Sequence, residues 1–377
     1  MNKYHIPLCK PTVDGEELKA IEEVLQSGWY AHGPKCKEFE TEFAKYIGAK
    51  RAISVNSCTA ALHLAVQANN IKGEVIVPSF TFVASANAIV TAGAKPVFCE
   101  IDYETCNIDI EDAAKRITEK TEAIMPVHFA GLPADMKRVV ELAREHDLKI
   151  IEDSAECIGG EHGGRKAGSF GFGCFSFYPT KNMTTGEGGM LTLQDESLHE
   201  VLNALKGHGI MSSAFERERK DEPWLRAASL AGYNFRMCDI LASMGLVQLR
   251  KIDEMNRLRR NHARFLSKNL DRSNCELPKE PSGTKHVYQM YTIKLREGID
   301  RKSFIHSLRE AGIGASVHFD PPVHQQPFYN KGQCFPVTEK VAKTIVTLPI
   351  YPSLSQEELE YMAEKVNHAL HACNKVR

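Results

Sequence analysis

Four times between residues 52 and 145, a short apolar, β-branched run gives way to a stretch of helical spacing. The runs at 52–55, 74–77, 96–101 and 123–127 precede helical stretches at 60–67, 82–92, 111–117 and 136–145. A fifth run, 149–152, completes the series. This alternation constrains the fold more than any other feature, because strands separated by helices lie parallel and need cover on both sheet faces. It predicts an α/β fold around a mostly parallel, mixed sheet covered by helices. Two more apolar runs, 174–178 and 190–193, follow a stretch rich in glycine.

From about residue 240 the pattern changes. Leu246, Leu249, Ile252, Met255 and Leu258 recur at three-residue steps, which predicts one amphipathic helix of about 25 residues. Beyond it, the run 287–295, a helix at 301–311, the run 316–319 and a terminal helix from Gln356 predict a smaller α+β unit. At roughly 150 residues per domain, 377 residues make two to three domains. The expected division is a large domain over 1–245, then a linking helix and small domain over 246–377.

Charge excludes several partners. The chain carries 47 Lys and Arg against 48 Asp and Glu, a formal charge of −1, so no global field draws it to nucleic acid or an anionic membrane. The arginines of the long helix are interleaved with Asp253 and Glu254, as on a solvated face. The eleven cysteines are never closer than seven residues, which excludes CxxC metal or redox spacing and reads as free thiols in a reducing compartment. With no apolar leader at Met1–Pro7 and no run of eighteen apolar residues, a cytoplasmic protein without membrane contact is expected. His368 and His371 lack a ligand partner in register, and no metal is expected.

The richest stretch is 151–190. Asp153 ends a buried-looking strand, where parallel strands open on a ligand crevice. Lys181 follows another strand, in a loop whose glycines allow close backbone approach. A carboxylate and a lysine on neighbouring strand ends suit pyridoxal phosphate, one holding the ring nitrogen protonated and the other the aldehyde. A surface lysine and an N-capping aspartate explain the spacing equally well. At 55–62 a strand leads through Ser57, Cys58 and Thr59 into a helix, a place for a phosphate or for an ordinary cap. Gly168–Gly173 is a turn, since no helix follows it as a dinucleotide site requires.

Taken together these segments resemble the DegT/DnrJ/EryC1/StrS family, sugar-nucleotide aminotransferases of the aspartate aminotransferase fold (fold type I). The resemblance runs nearly end to end. It rests on Gly-Trp-Tyr-Ala-His-Gly-Pro at 28–34, Asn-Ser-Cys-Thr-Ala-Ala-Leu-His at 56–63, and Pro-Ser-Phe-Thr-Phe-Val-Ala at 78–84. Glu152-Asp153-Ser154-Ala155, Ser176-Phe177 with Lys181-Asn182, and Thr185-Gly186-Glu187-Gly188-Gly189 extend it. Gly232-Tyr233-Asn234-Phe235-Arg236 and Leu-Pro-Ile-Tyr-Pro at 348–352 complete it.

The resemblance implies roles. Lys181 is the expected Schiff-base lysine and proton carrier, and Asp153 the partner of the pyridine nitrogen. Ser57, Cys58, Thr59 and Ser176 match phosphate positions, and Asn234 one that reaches the phosphate of another subunit. Phe82 matches the ring on the pyridine face, although a core aromatic is the rival because Phe80 lies in the same run. Glu156 flanks the cofactor. Tyr30, His32, Arg236 and His318 match positions near the sugar-nucleotide cleft. The family usually has glycine where Cys58 stands, so a side chain occupies space near the phosphate. It often has Gln or His where Glu156 stands, and glutamate there is typical of perosamine-synthase-like members.

The expectation is a homodimer with shared active sites. It would move the amino group of L-glutamate through pyridoxamine phosphate to a nucleotide-linked keto sugar, a 4-keto-6-deoxy hexose. Rival acceptors are a 3-keto sugar nucleotide and a keto-inositol. A regulatory relative without turnover is a further rival, opposed by the presence of both Lys181 and Asp153. The dehydratase branch replaces the lysine by histidine, and Lys181 excludes its usual mechanism.

Overall fold

The computed structural model describes residues 4–211, 215, 224 and 226–373, so Met1–Lys3 of the N-terminal stretch lie outside it. Seven strands form the main sheet: β1 (Arg51–Val55), β2 (Glu74–Pro78), β3 (Lys95–Cys99), β4 (Thr121–Ile124), β5 (Lys149–Asp153), β6 (Phe172–Ser176) and β7 (Gly189–Leu193). Their spatial order is β1-β7-β6-β5-β4-β2-β3. From β3 to β6 all neighbours are parallel, whereas β7 runs antiparallel to β6 and to β1. The reversal has a local cause. A loop, not a crossover helix, joins β6 to β7, and only crossover connections return a strand in the parallel sense.

Alternate side chains of the central strands serve opposite faces. Val75 and Val77 of β2 join Leu62, Leu64 and Ile89, while Ile76 between them packs with Val139 and Leu142. Continuous apolar strands are what a sheet covered on both sides demands. Short polar residues set where the covering helices begin. Ser57 accepts from the Ala60 N–H at 3.1 Å, and Asp135 from the Arg138 N–H at 3.3 Å. Behind β6 and β7, Phe39, Phe43, Phe175 and Phe177 pack edge-on or tilted, with centroids 5.0–5.8 Å apart. Each fully buried ring contributes about 1.5–3 kcal/mol.

Glu152 is fully buried beside Asp153 and organises the loop entering β6. It accepts from the Gly168, Phe170 and Gly171 N–H groups at 2.7–2.9 Å and pairs with His128 Nε2 at 3.1 Å. The glycine-rich turn ahead of β6 is therefore carboxylate-held, and no helix follows it.

The long helix spans Asp239–Asn269, 31 residues, and starts seven residues before the predicted 246. Gly245 concealed its first turns, since glycine in a helical pattern reads as a break. A Cβ there would meet the Phe39 ring at 2.7 Å, so glycine is what lets Phe39 pack against the helix. The Asp239 carboxylate accepts from the Gly33, Lys35 and Cys36 N–H groups at 2.8–3.0 Å, capping the helix Pro34–Ile47. Beyond the long helix, β8 (Cys275–Glu276), β9 (Tyr291–Leu295) and β10 (Ile345–Leu348) form an antiparallel sheet in that order. The helices Arg301–Glu310 and Gln356–Ala372 cover it around Tyr291, Ile293, Phe304, Leu308, Val346 and Met362. The run 316–319 holds only the Ser316–Thr347 bridge, while β10 and the helix Pro336–Thr344 went unread. His371 faces Asp271 at 3.3 Å. Among the described residues no helix is long and apolar enough to cross a membrane, and no group of three potential ligands could hold a metal.

Candidate active site

A cavity of about 590 Å³ opens where β5 and β6 end beside the N-terminus of the helix Cys58–Ala68. Nine of the thirteen expected site residues line it: Ser57, Cys58, Thr59, Phe82, Asp153, Glu156, Ser176, Lys181 and His318. They come from four separate strand ends and from the segment before β10. Parallel strands bring their carboxyl ends to one edge, which is why residues as distant in the chain as Ser57 and Lys181 meet there.

Each group has a local cause. Lys181 stands in the β6–β7 loop, its N–H donating to the Tyr178 carbonyl at 2.9 Å, and its Nζ lies 3.3 Å from Glu156 Oε1. The other Glu156 oxygen accepts from the Ala130 N–H at 2.8 Å. Asp153 is buried, and desolvation raises its carboxyl above the usual range against the pull of Ser85, the Ala155 N–H and Lys181. The Cys58 and Thr59 N–H groups belong to a helix first turn, where no intrahelical acceptor exists. Gly189 lets β7 pack against that turn, because a Cβ there would sit 2.5–2.6 Å from the Ser57 and Cys58 backbone. Cys58 packs its side chain into the core with Ala60 and Leu62, and burial raises its thiol far above its ordinary value. It stands at the cavity as a neutral thiol.

Phe82 and Phe80 divide cleanly. Phe80 is fully buried, whereas Phe82 is 62% exposed at the cavity, 6.3 Å from the Phe319 ring. His318 bonds Thr347 Oγ1 through Nδ1 at 2.9 Å, and burial lowers its pKa toward the neutral imidazole.

The other four residues lie elsewhere in the chain. His32 and Arg236 line a second cavity of about 1000 Å³ with Glu40 and Lys206. Burial pushes His32 down to about 4. Tyr30 is half exposed and donates to the Leu25 carbonyl at 3.2 Å. Asn234 bridges to Gly207, and its carbonyl accepts from Asn56 Nδ2 at 3.4 Å.

Sequence reasoning missed Ser85, which donates to Asp153 Oδ2 at 2.6 Å. It also missed Gln289, whose Nε2 donates to the Thr180 carbonyl beside Lys181 at 2.9 Å. Only a partner 68 or 109 positions away reveals either residue.

The donor set fits pyridoxal phosphate. A reactive amine, a desolvated carboxylate suited to a ring cation, a helix N-terminus suited to a phosphate and an exposed aromatic face surround one cavity.

Comparison with known proteins agrees. The model of the DegT/DnrJ/EryC1/StrS aminotransferase family matches residues 11–367. The uncharacterized protein MJ1066 of Methanocaldococcus jannaschii is 41% identical over 369 residues, covering 94% of this chain and 95% of that protein. GDP-perosamine synthase of Escherichia coli O157:H7 is 37% identical over 368 residues, covering 96% and 98%. Among solved structures, Spr1654 of Streptococcus pneumoniae in its PMP-form aligns with a TM-score of 0.93 at 28% identity, covering 98% of this chain and 100% of that one. The same protein is also solved in a PLP-form, with a TM-score of 0.91.

Proposed function

Because the chain belongs to the DegT/DnrJ/EryC1/StrS aminotransferase family, whose members are pyridoxal-phosphate-dependent sugar aminotransferases, we infer that it moves the amino group of L-glutamate to a nucleotide-linked 4-keto-6-deoxy hexose. The observation that carries this reading is the meeting of Lys181, Asp153 and the helix N-terminus at Cys58 around one cavity. The glutamate at position 156 and the GDP-perosamine synthase relative support the choice of acceptor.

When bound, the cofactor supplies an aldehyde to take the amino group and a ring that withdraws electrons from the carbon being deprotonated. Lys181 Nζ would hold that aldehyde, and its free amine would serve as the base that moves the proton. Asp153 keeps the ring nitrogen protonated. The N–H groups of Cys58 and Thr59, with the Ser57 and Ser176 hydroxyls, take the phosphate. Phe82 covers the ring face. Glu156 accepts from the Lys181 amine and orients it between turnovers, and His318 faces the sugar.

In this reading Asn234 completes the phosphate site of a second copy, and Tyr30, His32 and Arg236 line the sugar-nucleotide cleft between copies. The functional unit is then a symmetric dimer. Sedimentation of the loaded enzyme is expected to give twice the chain mass of 42.1 kDa. A fully active monomer would overturn the shared site.

Substrate choice is tested by incubating the loaded enzyme with 15N-glutamate and a panel of keto acceptors, read by mass spectrometry. Label is expected in the 4-keto-6-deoxy sugar nucleotide. Label confined to 3-keto sugar nucleotides or keto-inositols would move the acceptor. Absence of label from every product would remove glutamate-dependent turnover from the reading.

A further inference from the structure

The segment from Phe80 to Ser85 does three things at once. Phe80 enters the core, Phe82 faces the cavity, and the hydroxyls of Thr81 and Ser85, four residues apart, turn together toward the end of β5. Ser85 is fully buried and Thr81 nearly so. Ser85 Oγ lies 2.6 Å from Asp153 Oδ2, 2.8 Å from Thr81 Oγ1 and 3.2 Å from the Phe82 carbonyl. The Ala155 N–H reaches the other carboxylate oxygen, Oδ1, at 3.2 Å.

We propose that Ser85, backed by Thr81, is a positioning residue that holds the Asp153 carboxylate in the orientation and charge state the aminotransferase reaction needs. This rests on the role given to Asp153 above.

Proton counting supports it. A serine hydroxyl has one proton to give and two sites to accept. Its shortest contact is to the carboxylate, and a bond to an ionised acceptor is the strongest it can make. Ser85 therefore donates to Oδ2, and Thr81 donates to Ser85. Both hydroxyls are satisfied while Asp153 is ionised. Were Asp153 protonated on Oδ2, Ser85 would have to accept there and turn its own proton to the more distant Phe82 carbonyl. Donors on both oxygens also fix the carboxylate plane, leaving its remaining lone pairs for the cavity.

The surroundings make such a device necessary. Burial and Glu156 disfavour the charge on Asp153, while Ser85, the Ala155 N–H and Lys181 favour it. Ser85 also lies in the first turn of the helix Val83–Thr91, whose N-terminus favours a nearby anion. A packing role alone does not explain a serine there. Its neighbours are Ala84 and Ala86, and alanine would suit the helix better.

The test compares Ser85→Ala and Ser85→Thr, in the full chain loaded with pyridoxal phosphate labelled with 15N in the ring. Ser85→Ala is expected to lower kcat/KM by about ten- to a hundredfold, the range of one hydrogen bond to a charged group. At the same pH, the ring-nitrogen resonance is expected to move toward its unprotonated position, because an unsupported carboxylate draws the proton to itself. Ser85→Thr, which keeps the hydroxyl, is expected to restore both. Thr81→Val is expected to shift the resonance the same way by less, and it decides the matter if Ser85→Ala does not fold. An unchanged resonance and rate in the folded variant would overturn the proposal. Asp153→Asn separates the two levels. If it also leaves the nitrogen protonated, Asp153 is not the ring partner and the underlying reading fails. If Asp153→Asn moves the resonance and the Ser85 and Thr81 variants do not, the positioning role alone fails.

Discussion

Replacing Asp153 by asparagine is expected to slow transamination by roughly a thousandfold or more, about 4 kcal/mol of transition-state stabilisation. Asparagine preserves volume and one acceptor, so the local fold survives. It cannot carry the negative charge that holds a proton on the ring nitrogen, and the ring loses its capacity to withdraw electrons. Steady-state turnover with glutamate measures this directly. Near-normal turnover in the Asp153→Asn variant would mean that Asp153 is not the pyridine partner.

The same carboxylate sets a pH dependence. Burial raises its pKa in the unloaded chain, so its contribution to stability is present below the carboxylate range and is lost as pH rises through the raised value. A bound cation at that spot offsets the loss. The gain in Tm on loading with pyridoxal phosphate is therefore expected to be larger at about pH 7.5 than at about pH 4.5. A gain independent of pH would argue that no charge pairs with Asp153.

Lys181→Ala is expected to remove both covalent attachment and the proton carrier, lowering turnover by roughly ten-thousandfold or more. In the parent protein, borohydride reduction and peptide mapping should place the phosphopyridoxyl group on Lys181. Its Nζ already stands at the cavity, 3.3 Å from Glu156, in a loop tied to Gln289 through the Thr180 carbonyl. Label on another lysine would sink the site assignment. An unlabelled, colourless protein would sink the chemistry itself.

Much of this was legible from residue order. The strand–helix alternation specified a sheet covered on both faces, and β5 and β6 begin within two residues of where the pattern placed them. Asp153 and Lys181 stood out because each closes or follows a strand, and strand ends are local features. Other elements were hidden for identifiable reasons. The helix Asp239–Asn269 was shortened because Gly245 mimics a break, and Phe39, which requires that glycine, lies far away near the N-terminus. Ser85 looked like an ordinary helical residue until Asp153 arrived beside it.

Residue order alone therefore specifies the α/β class and the succession of most elements, because spacing, caps and strand ends depend on neighbours a few positions apart. For Lys181 and Asp153 it left two readings even, and the proposed roles came from the resemblance of whole segments to a family. Packing in three dimensions was needed to show that Phe82 faces the cavity while Phe80 fills the core, and that β7 runs against its neighbours. It was needed equally to place Tyr30, His32, Asn234 and Arg236 away from the cavity that Lys181 lines. The direction a side chain faces is settled by which distant surfaces pack against its backbone. That competition between long-range contacts leaves no period in the chain to read.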